Sequence, residues 1–532
     1  MTLHYSPILA QSLSVFHDNG ETLFTDVSFS LEHQITGLVG RNGSGKSVLA
    51  NVLLRQKTPD AGNVVCQARV GFLPQLTRNR ALQEQGSIAS FLSVEEKLRA
   101  LRRIENGSID QQDFDLVADD WGAWDALCLQ LDEMNIPADP LMPCYRLSGG
   151  ELTRLMLWQL FNGDYDFLIL DEPSNHLDRA GRKWLLEQMR RFDGGILLIS
   201  HDRLLLECVA CIMELTAKGI RHYGGNYSLY SQQKELQQVA LDRSVADAER
   251  QVRQIKKQQQ RSIEKAQKRA THGNKARRDG SQPKILLDAM KDSAQRTASA
   301  RKVQFEQQLS KAEKKAADLK DQQYRFKSQQ LMINESDKRH SSVLALLAVQ
   351  LRYGFSKEIN FSMQYGDRVH LTGNNGCGKS TLLKAIMGNQ QPNSGQVLCK
   401  VELCYLDQHF SLLDDQQTVL ENLQQLCPDY SQSELRTMAA GVGFRRERVN
   451  LSVALLSGGE KMKIALLVVS HQYGETLLLL DEPDNHLDIE SKQMLAQALS
   501  GHMGGMVLIS HDDAFVAEVG INRTLMLGVE PG

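Results

Sequence analysis

Hydrophobic residues follow two different patterns along this chain. Toward each end, short apolar, strand-like runs stand out: Ile35–Val39 and 167–170 in the first half, Arg368–Thr372 and 477–480 in the second. The runs at 167–170 and 477–480 hold no polar residue, which suits a strand covered on both faces, as in a central parallel sheet. The first run of each half leads through a glycine-rich loop into a helical pattern, at 48–54 and 381–387. Strand, loop and helix in duplicate predict an α/β chain built from two copies of one fold.

The middle reads differently. Leu241, Val245, Ala248, Val252 and Ile255 recur at spacings of 4, 3, 4 and 3, and Phe305, Leu309, Ala312, Ala316 and Leu319 do the same. Two narrow seams of this kind predict helices that pair like a coiled coil. Gly273, Gly280 and Pro283 lie between them and predict a break. The expectation is an antiparallel helical hairpin, its first helix over about 230–271 and its turn near 273–283. At ~1.5 Å per residue that helix reaches on the order of 60 Å. The chain then divides into 1–230, a linker at 231–340, and 341–532, with large side chains too sparse in the linker to hold it rigid before it docks.

Composition sharpens the picture. A length of 532 residues allows about three domains, and 42% apolar with 23% charged residues is ordinary globular protein. No run approaches the roughly 18 apolar residues of a membrane span, and the first 30 residues lack a signal peptide's charged and apolar regions. Nine scattered cysteines, with Cys208 and Cys211 the one close pair, fit a reducing cytoplasmic compartment without a disulfide scaffold. That pair is expected to be buried structural thiols in a helical run, not metal ligands. A net charge of -3 argues by itself against a nucleic-acid partner. Its distribution argues the other way. Residues 231–340 hold 26 basic and 14 acidic side chains, a net of +12, which leaves -15 on the two ends.

The chemistry is also duplicated. Gly40-Arg-Asn42-Gly43-Ser-Gly45-Lys46-Ser47 and Gly373-Asn-Asn375-Gly376-Cys-Gly378-Lys379-Ser380 both fit G-x-x-x-x-G-K-[ST], the phosphate-binding loop. Glycines let successive amides curl toward phosphate oxygens, and the helix N-terminus adds positive potential. Lys46 and Lys379 are placed to reach the β- and γ-phosphates, and Ser47 and Ser380 to hold Mg²⁺. The second apolar run of each half ends in paired acids, Asp171-Glu172 and Asp481-Glu482. The Asp is a candidate metal partner and the Glu a candidate to polarise an attacking water. His201 and His511 each follow their Asp by 30 residues. Ser148-Gly149-Gly150-Glu151 and Ser457-Gly458-Gly459-Glu460 would each open a helix, a second anion-binding N-terminus per half.

This set resembles the ATP-binding cassette ATPases. The resemblance implies two cassettes packed head to tail, each ATP lying between one cassette's phosphate loop and the other's Ser-Gly-Gly-Glu signature. Gln75 and Gln408 match the family's glutamine loop and would join the Mg²⁺ sites, while Phe16 and Tyr353 look like the aromatic that stacks on adenine. His201 and His511 would be the switch histidines. Site one would be closed by Ser457 to Glu460 and site two by Ser148 to Glu151. Ser174-Asn-His-Leu-Asp178 and Asp484-Asn-His-Leu-Asp488 resemble the loop by which cassettes touch, with Asp484 departing from the usual small hydroxyl.

Two cassettes without membrane spans, fused through about 110 residues and both carrying Asn-His-Leu-Asp, resemble the F subfamily of soluble ribosome-associated ATPases. That resemblance implies a monomer with intramolecular cassette pairing, hydrolysing ATP with Mg²⁺ in the cytoplasm. Its partners would be ribosomal RNA and P-site tRNA, reached from the exit site toward the peptidyl-transferase centre. Outcomes within the subfamily are control of translation, relief of stalling, and protection against ribosome-targeting antibiotics. Lys265, Lys268, Arg269, Lys275, Arg277 and Arg278 crowd the distal linker, and no aromatic occurs from 231 to 304. Phosphate contacts to folded RNA suit that composition better than base stacking. The first half also carries about 24 extra residues near 85–130, including Trp121 and Trp124, where the subfamily has a helical arm. The alternative is an energising subunit of a transporter whose membrane proteins are separate chains.

Overall fold

The structure is a computed structural model that describes residues 7–16, 20, 22–75, 86–175, 177–278, 303–320, 342–407, 410–471, 476–485, 487–502 and 504–528. Met1–Ser228 together with Gln329–Gly532 form one compact unit, and Leu229–Ser328 a second.

In the first unit the two halves repeat one architecture. The first half contains β1 (Ile8–Phe16), β2 (Thr22–Leu31), β3 (Ile35–Val39), β4 (Ala61–Cys66), β5 (Val70–Leu73), β6 (Phe167–Asp171), β7 (Gly195–Ile199), β8 (Cys211–Thr216) and β9 (Gly219–Gly224). β2-β1-β4 make a small antiparallel sheet. β5-β6-β7-β3-β8-β9 make the central one, parallel except for its last edge. β6 and β7 are buried at every position, as unbroken apolar runs require. Between the sheets lies a core of Leu13, Phe24, Leu38, Leu49, Ile169 and Leu197. In the second half β10 (Ser342–Gln350), β11 (Ile359–Gln364) and β13 (Ser394–Cys399) make the small sheet. β14 (Glu402–Asp407), β15 (Thr476–Asp481), β16 (Met506–Ile509), β12 (Arg368–Thr372) and β17 (Arg523–Met526) follow one another in the central sheet, all parallel.

Isolated bridges Ser87–Pro143 and Thr418–Ser452 bracket matching helical segments in the two halves. Between the first pair, helices Glu95–Glu105 and Gln111–Val117 precede Ala123–Glu133; between the second, Val419–Leu426 leads directly to Gln432–Gly441. Arg103 and Ser108 both bond the buried Asp113 carboxylate, which closes the turn of the extra hairpin. The Arg102 guanidinium stacks 4.0 Å from the Trp124 ring centroid.

The second unit carries most of helix Tyr227–Arg278 and a second helix at 303–320. Lys256 pairs with Glu313 at 2.9 Å, and seven residues earlier Glu249 pairs with Lys320 at 2.6 Å, seven residues later on the other helix. The helices therefore run antiparallel. Val245, Ala248 and Ala316 are buried in their seam. One expectation fails: the first helix does not end at 271 but continues through Gly273 to Arg278. A lone glycine costs a helix only about 1 kcal/mol, and the Lys275-Ala276-Arg277 that follows favours helix. Gly280 and Pro283 lie outside the described residues.

Candidate functional site

The strand order brings the chemistry together. In each half one strand separates the phosphate-loop strand from the acid strand, and its end carries the histidine. The carboxyl ends of β3, β7, β6 and β5 thus deliver, in spatial sequence, the loop at 40–47, His201, Asp171-Glu172 and Gln75. In the second half β12, β16 and β15 deliver the loop at 373–380, His511 and Asp481-Glu482. Gln75 is exposed at the end of its strand, and Gln408 lies outside the described residues.

Both loops have the same backbone. Gly43 and Gly45 adopt φ of 78° and 94°, Gly376 and Gly378 of 77° and 97°, left-handed conformations that turn amides inward. Lys46 donates to the carbonyls of Gly40 (2.8 Å) and Arg41 (3.2 Å). Lys379 repeats this on Gly373 and Asn374, at 2.8 and 3.1 Å. Burial lowers the Lys46 ammonium below its usual range, against the pull of Glu172, Asp488 and Asp171. A buried cation inside a cup of amides at a helix N-terminus is a polyphosphate site.

The carboxylates fit a metal-bound phosphate. Asp171 Oδ1 and Glu172 Oε1 are buried without a hydrogen-bond partner, as are both ring nitrogens of His201. Burial raises Asp171 and Asp481, each of which accepts a bond from the loop serine, Ser47 or Ser380. A Ser–Asp pair of hard oxygen donors beside a phosphate cradle suits Mg²⁺. Glu172 and Glu482 both sit at φ of 50°, and their amides bond Ile199 (2.8 Å) and Ile509 (3.0 Å) on the histidine strand. That conformation costs of order 1–3 kcal/mol in a non-glycine residue and re-aims the side chain off the strand direction.

The two acids are not equivalent. Burial pushes Glu172 to about 7; Asp171 adds to the shift while Lys46 and Lys492 oppose it. His201 Nε2 stands 3.7 Å away and is held neutral, first by burial and then by Lys46 and Lys492. Burial also pushes Glu482 up, but His511 at 3.5 Å, Lys379 and Arg182 outweigh it and hold this acid below its usual range. Tyr405 donates to Asp481 at 3.1 Å, where the first half has Phe72.

The signature serines open their helices. Ser148 accepts from Glu151 N while Glu151 bonds back to Ser148 N, a capping box at the start of Gly149–Phe161. Ser457 N and Oγ both donate to Glu460, so Ser457-Gly458-Gly459 opens the corresponding helix in the second half.

Known proteins place this geometry. The ABC transporter family model matches residues 24–175 and 356–485, more than half the chain. ABC transporter F family member 5 of Arabidopsis thaliana is 30% identical over 551 residues, covering 95% of this chain and 73% of that one. The chain belongs to the F family of ATP-binding cassette proteins. It is therefore an ATPase with two nucleotide-binding cassettes. The ATP-binding protein Uup of Escherichia coli (strain K12) is 29% identical over 90% of this ABC-F chain and 74% of its own. The ribosome protection protein VmlR of Bacillus subtilis (strain 168) is 26% identical, over 93% and 82%. Among solved structures, archaeal ribosome recycling factor aABCE1 superposes with a TM-score of 0.58 at 17% identity, covering 98% of this chain and 88% of that one. It shares the tandem-cassette fold.

In this ABC-F chain the loops after the acid pairs reach across to the other cassette. Asp488 accepts a bond from the Asn42 amide at 3.0 Å, and Glu490 pairs with Arg41 at 2.9 Å. Arg179 pairs with Asp513 at 3.0 Å, and Arg203 with Glu518. Arg154 of the signature helix pairs at 2.6 Å with Asp178, which also caps helix Arg179–Arg191. Sequence reasoning missed these partners and the strained glutamates. The available signal was a basic residue four after the loop Asp in both halves, Arg182 and Lys492.

Phe16 is half-exposed and Tyr353 more so. Ser12 and Ala348 are matching positive-φ bulges in β1 and β10, so Phe16 corresponds to Arg352 and Tyr353 lies one residue further. The Tyr353-Gly354 backbone packs directly on the second phosphate loop at Cys377 and Gly378. Cys208 and Cys211 do not lie in one helical run: a turn joins helix Arg203–Leu206 to β8, where Cys211 Sγ sits 3.5 Å from Thr36 Oγ1. No group of three metal-ligating side chains occurs among the described residues.

Proposed function

We propose that this protein closes its two cassettes around two ATP·Mg²⁺ and hydrolyses them while bound to the ribosome. Lys46 and Lys379 would hold the β- and γ-phosphates, with Asn42 and Asn375 in the same loops and Phe16 and Tyr353 against adenine. Ser47, Asp171 and Gln75 would hold the first Mg²⁺, and Ser380, Asp481 and Gln408 the second. The metal supplies charge neutralisation on the transferring phosphate. Glu172 and Glu482 would polarise the attacking water and His201 and His511 face the γ-phosphate. Ser148-Gly149-Gly150 and Ser457-Gly458-Gly459 would cap the opposite nucleotide with helix N-termini.

The observation that carries the ribosomal reading is the antiparallel hairpin with a net charge of +12 over 231–340 between two acidic cassettes. Lys265 and Lys268 are exposed on it; the side chains of Arg269, Lys275, Arg277 and Arg278 lie outside those described. The likeness to the ribosome protection protein VmlR and to archaeal ribosome recycling factor aABCE1 favours the same partner. We infer contacts to ribosomal RNA and P-site tRNA, entered from the exit site, with stall relief or antibiotic protection as the outcome. No helix among the described residues is long and apolar enough to cross a membrane.

The test is the double variant Glu172→Gln, Glu482→Gln, which keeps ATP binding and removes the base. It is expected to pellet with ribosomes through sucrose in ATP but not in ADP. Release in ATP at the wild-type rate would refute the gating mechanism, and recovery with membranes would favour the transporter alternative.

A further inference from the structure

The two loops that carry the switch histidines, 200–202 and 510–512, are joined by one buried side chain. Arg182 stands on the helix that follows the first contact loop. Its Nη1 lies 3.1 Å from Oδ2 of Asp202, the neighbour of His201, and donates at 3.0 Å to the backbone carbonyl of His511 in the other cassette. Its Nε donates to Leu177 at 3.3 Å, which fixes the fork in place. Arg182, Asp202 and Asp512 are all buried.

The second half carries a different pair at the matching positions. Lys492 replaces Arg182, and Asp484 replaces Ser174. Lys492 Nζ lies 3.0 Å from Asp512 of its own cassette, in the fields of Asp484 and Asp202. An ammonium is a point charge, and here it is directed onto its own loop; the longer Arg182 side chain sets one guanidinium nitrogen beside Asp202 of its own cassette and on the His511 carbonyl of the other. His511 thus belongs to a loop gripped by both cassettes, through Lys492 on Asp512 and Arg182 on its carbonyl. The first loop has its ion pair to Arg182 of its own cassette.

We propose that Arg182 is a positioning residue for the second ATP site: by bonding the His511 carbonyl from the first cassette, it sets the switch histidine opposite Glu482. The coupling runs from the first contact loop into the second catalytic site and is stronger in that direction than in reverse. This rests on Glu172 and Glu482 being the catalytic bases. A carbonyl lost at 3.0 Å releases a loop whose histidine must stay within bonding reach of the γ-phosphate, and a shift of about 1 Å at such a position costs up to ~100-fold in rate.

The test uses Arg182→Lys, which keeps the charge for Asp202 and is too short to serve both acceptors. ATP turnover is measured in the full chain with Glu172→Gln, which leaves site two, and separately with Glu482→Gln, which leaves site one. Arg182→Lys is expected to lower kcat on the order of tenfold at site two with KM unchanged, and to leave site one within about twofold. Equal loss at both sites, or none at either, overturns the proposal. Amide hydrogen exchange of the nucleotide-free chain supplies a readout independent of the catalytic assignments. Faster exchange at 509–515 in Arg182→Lys, with unchanged exchange in β6 and β15, supports the bridge. Unchanged exchange at 509–515 overturns it. If neither single Glu→Gln variant reduces turnover, the base assignment fails and the exchange result alone decides the bridge.

Discussion

With Glu172 and Glu482 as the proposed bases, their unequal surroundings predict different pH dependences for the two ATP sites. Glu172 is buried facing Lys46, Asp171, His201 and Lys492, and its pKa stands at about 7. Relative to its ordinary 4.5, that is about 3 kcal/mol in favour of the neutral acid. Glu482 faces His511, Lys379, Asp481 and Arg182 and lies below its ordinary value. A base acts only as the carboxylate, so site one gains activity as pH rises through 7 while site two is already ionised. With Glu482→Gln, kcat/KM for Mg·ATP reports site one in the free enzyme. A base with a pKa near 7 is roughly 10% ionised at pH 6 and 90% at pH 8, so this parameter is expected to rise about tenfold. With Glu172→Gln this carboxylate-driven rise is expected to be absent, because Glu482 lies below its ordinary value. His201 stays neutral throughout because burial lowers it well below its usual value, so it adds no limb to the site-one profile. The assay is phosphate release at subsaturating ATP with magnesium and ionic strength held constant. Parallel profiles for the two variants, or a flat one for site one, would refute the argument that burial outweighs Lys46 around Glu172.

Two further outcomes follow from the geometry. Gly45→Ala puts a Cβ 2.6 Å from Leu23 Cδ2 at φ 94°, whereas Gly43→Ala, at φ 78°, meets nothing within 4 Å. Binding of a fluorescent ATP analogue to site one should therefore fall at least tenfold more for Gly45→Ala, because strain and overlap add where strain alone costs about 1–2 kcal/mol; equal losses would show that the loop relaxes freely. Asp178→Ser keeps a helix cap but strands the buried Arg154, at a cost of about 3 kcal/mol. Asp488→Ser also keeps its cap but gives up a bond from the Asn42 amide, about 1 kcal/mol. Denaturant midpoints shifted equally by the two would remove the special standing of the Arg154 pair.

Much of the site could be read from residue order, because its parts are local. Each phosphate loop needs glycines within a few positions of its lysine, and each capping box needs Ser and Glu three apart. Unbroken apolar runs marked β6 and β15, whose ends carry the acids, and strand-like runs before the phosphate loops marked β3 and β12. The hairpin seam was equally local: Val245, Ala248 and Ala316 are the buried positions that the spacing picked out. The helix end was misplaced because a broken pattern at Gly273 signals only a small penalty, which the neighbouring residues outweigh.

What the chain could not show by itself was the environment of repeated residues. Glu172 and Glu482 occupy matching places in matching motifs, and no local pattern separates them. Their difference arises in space: burial dominates around Glu172 even against Lys46 and Lys492, whereas at Glu482 the His511 contact, Lys379 and, from the other cassette, Arg182 outweigh it. Motif spacing determines which atoms a short segment can offer. Electrostatics and burial depend on distances in space, so only the tertiary packing around each acid decided how the two sites differ.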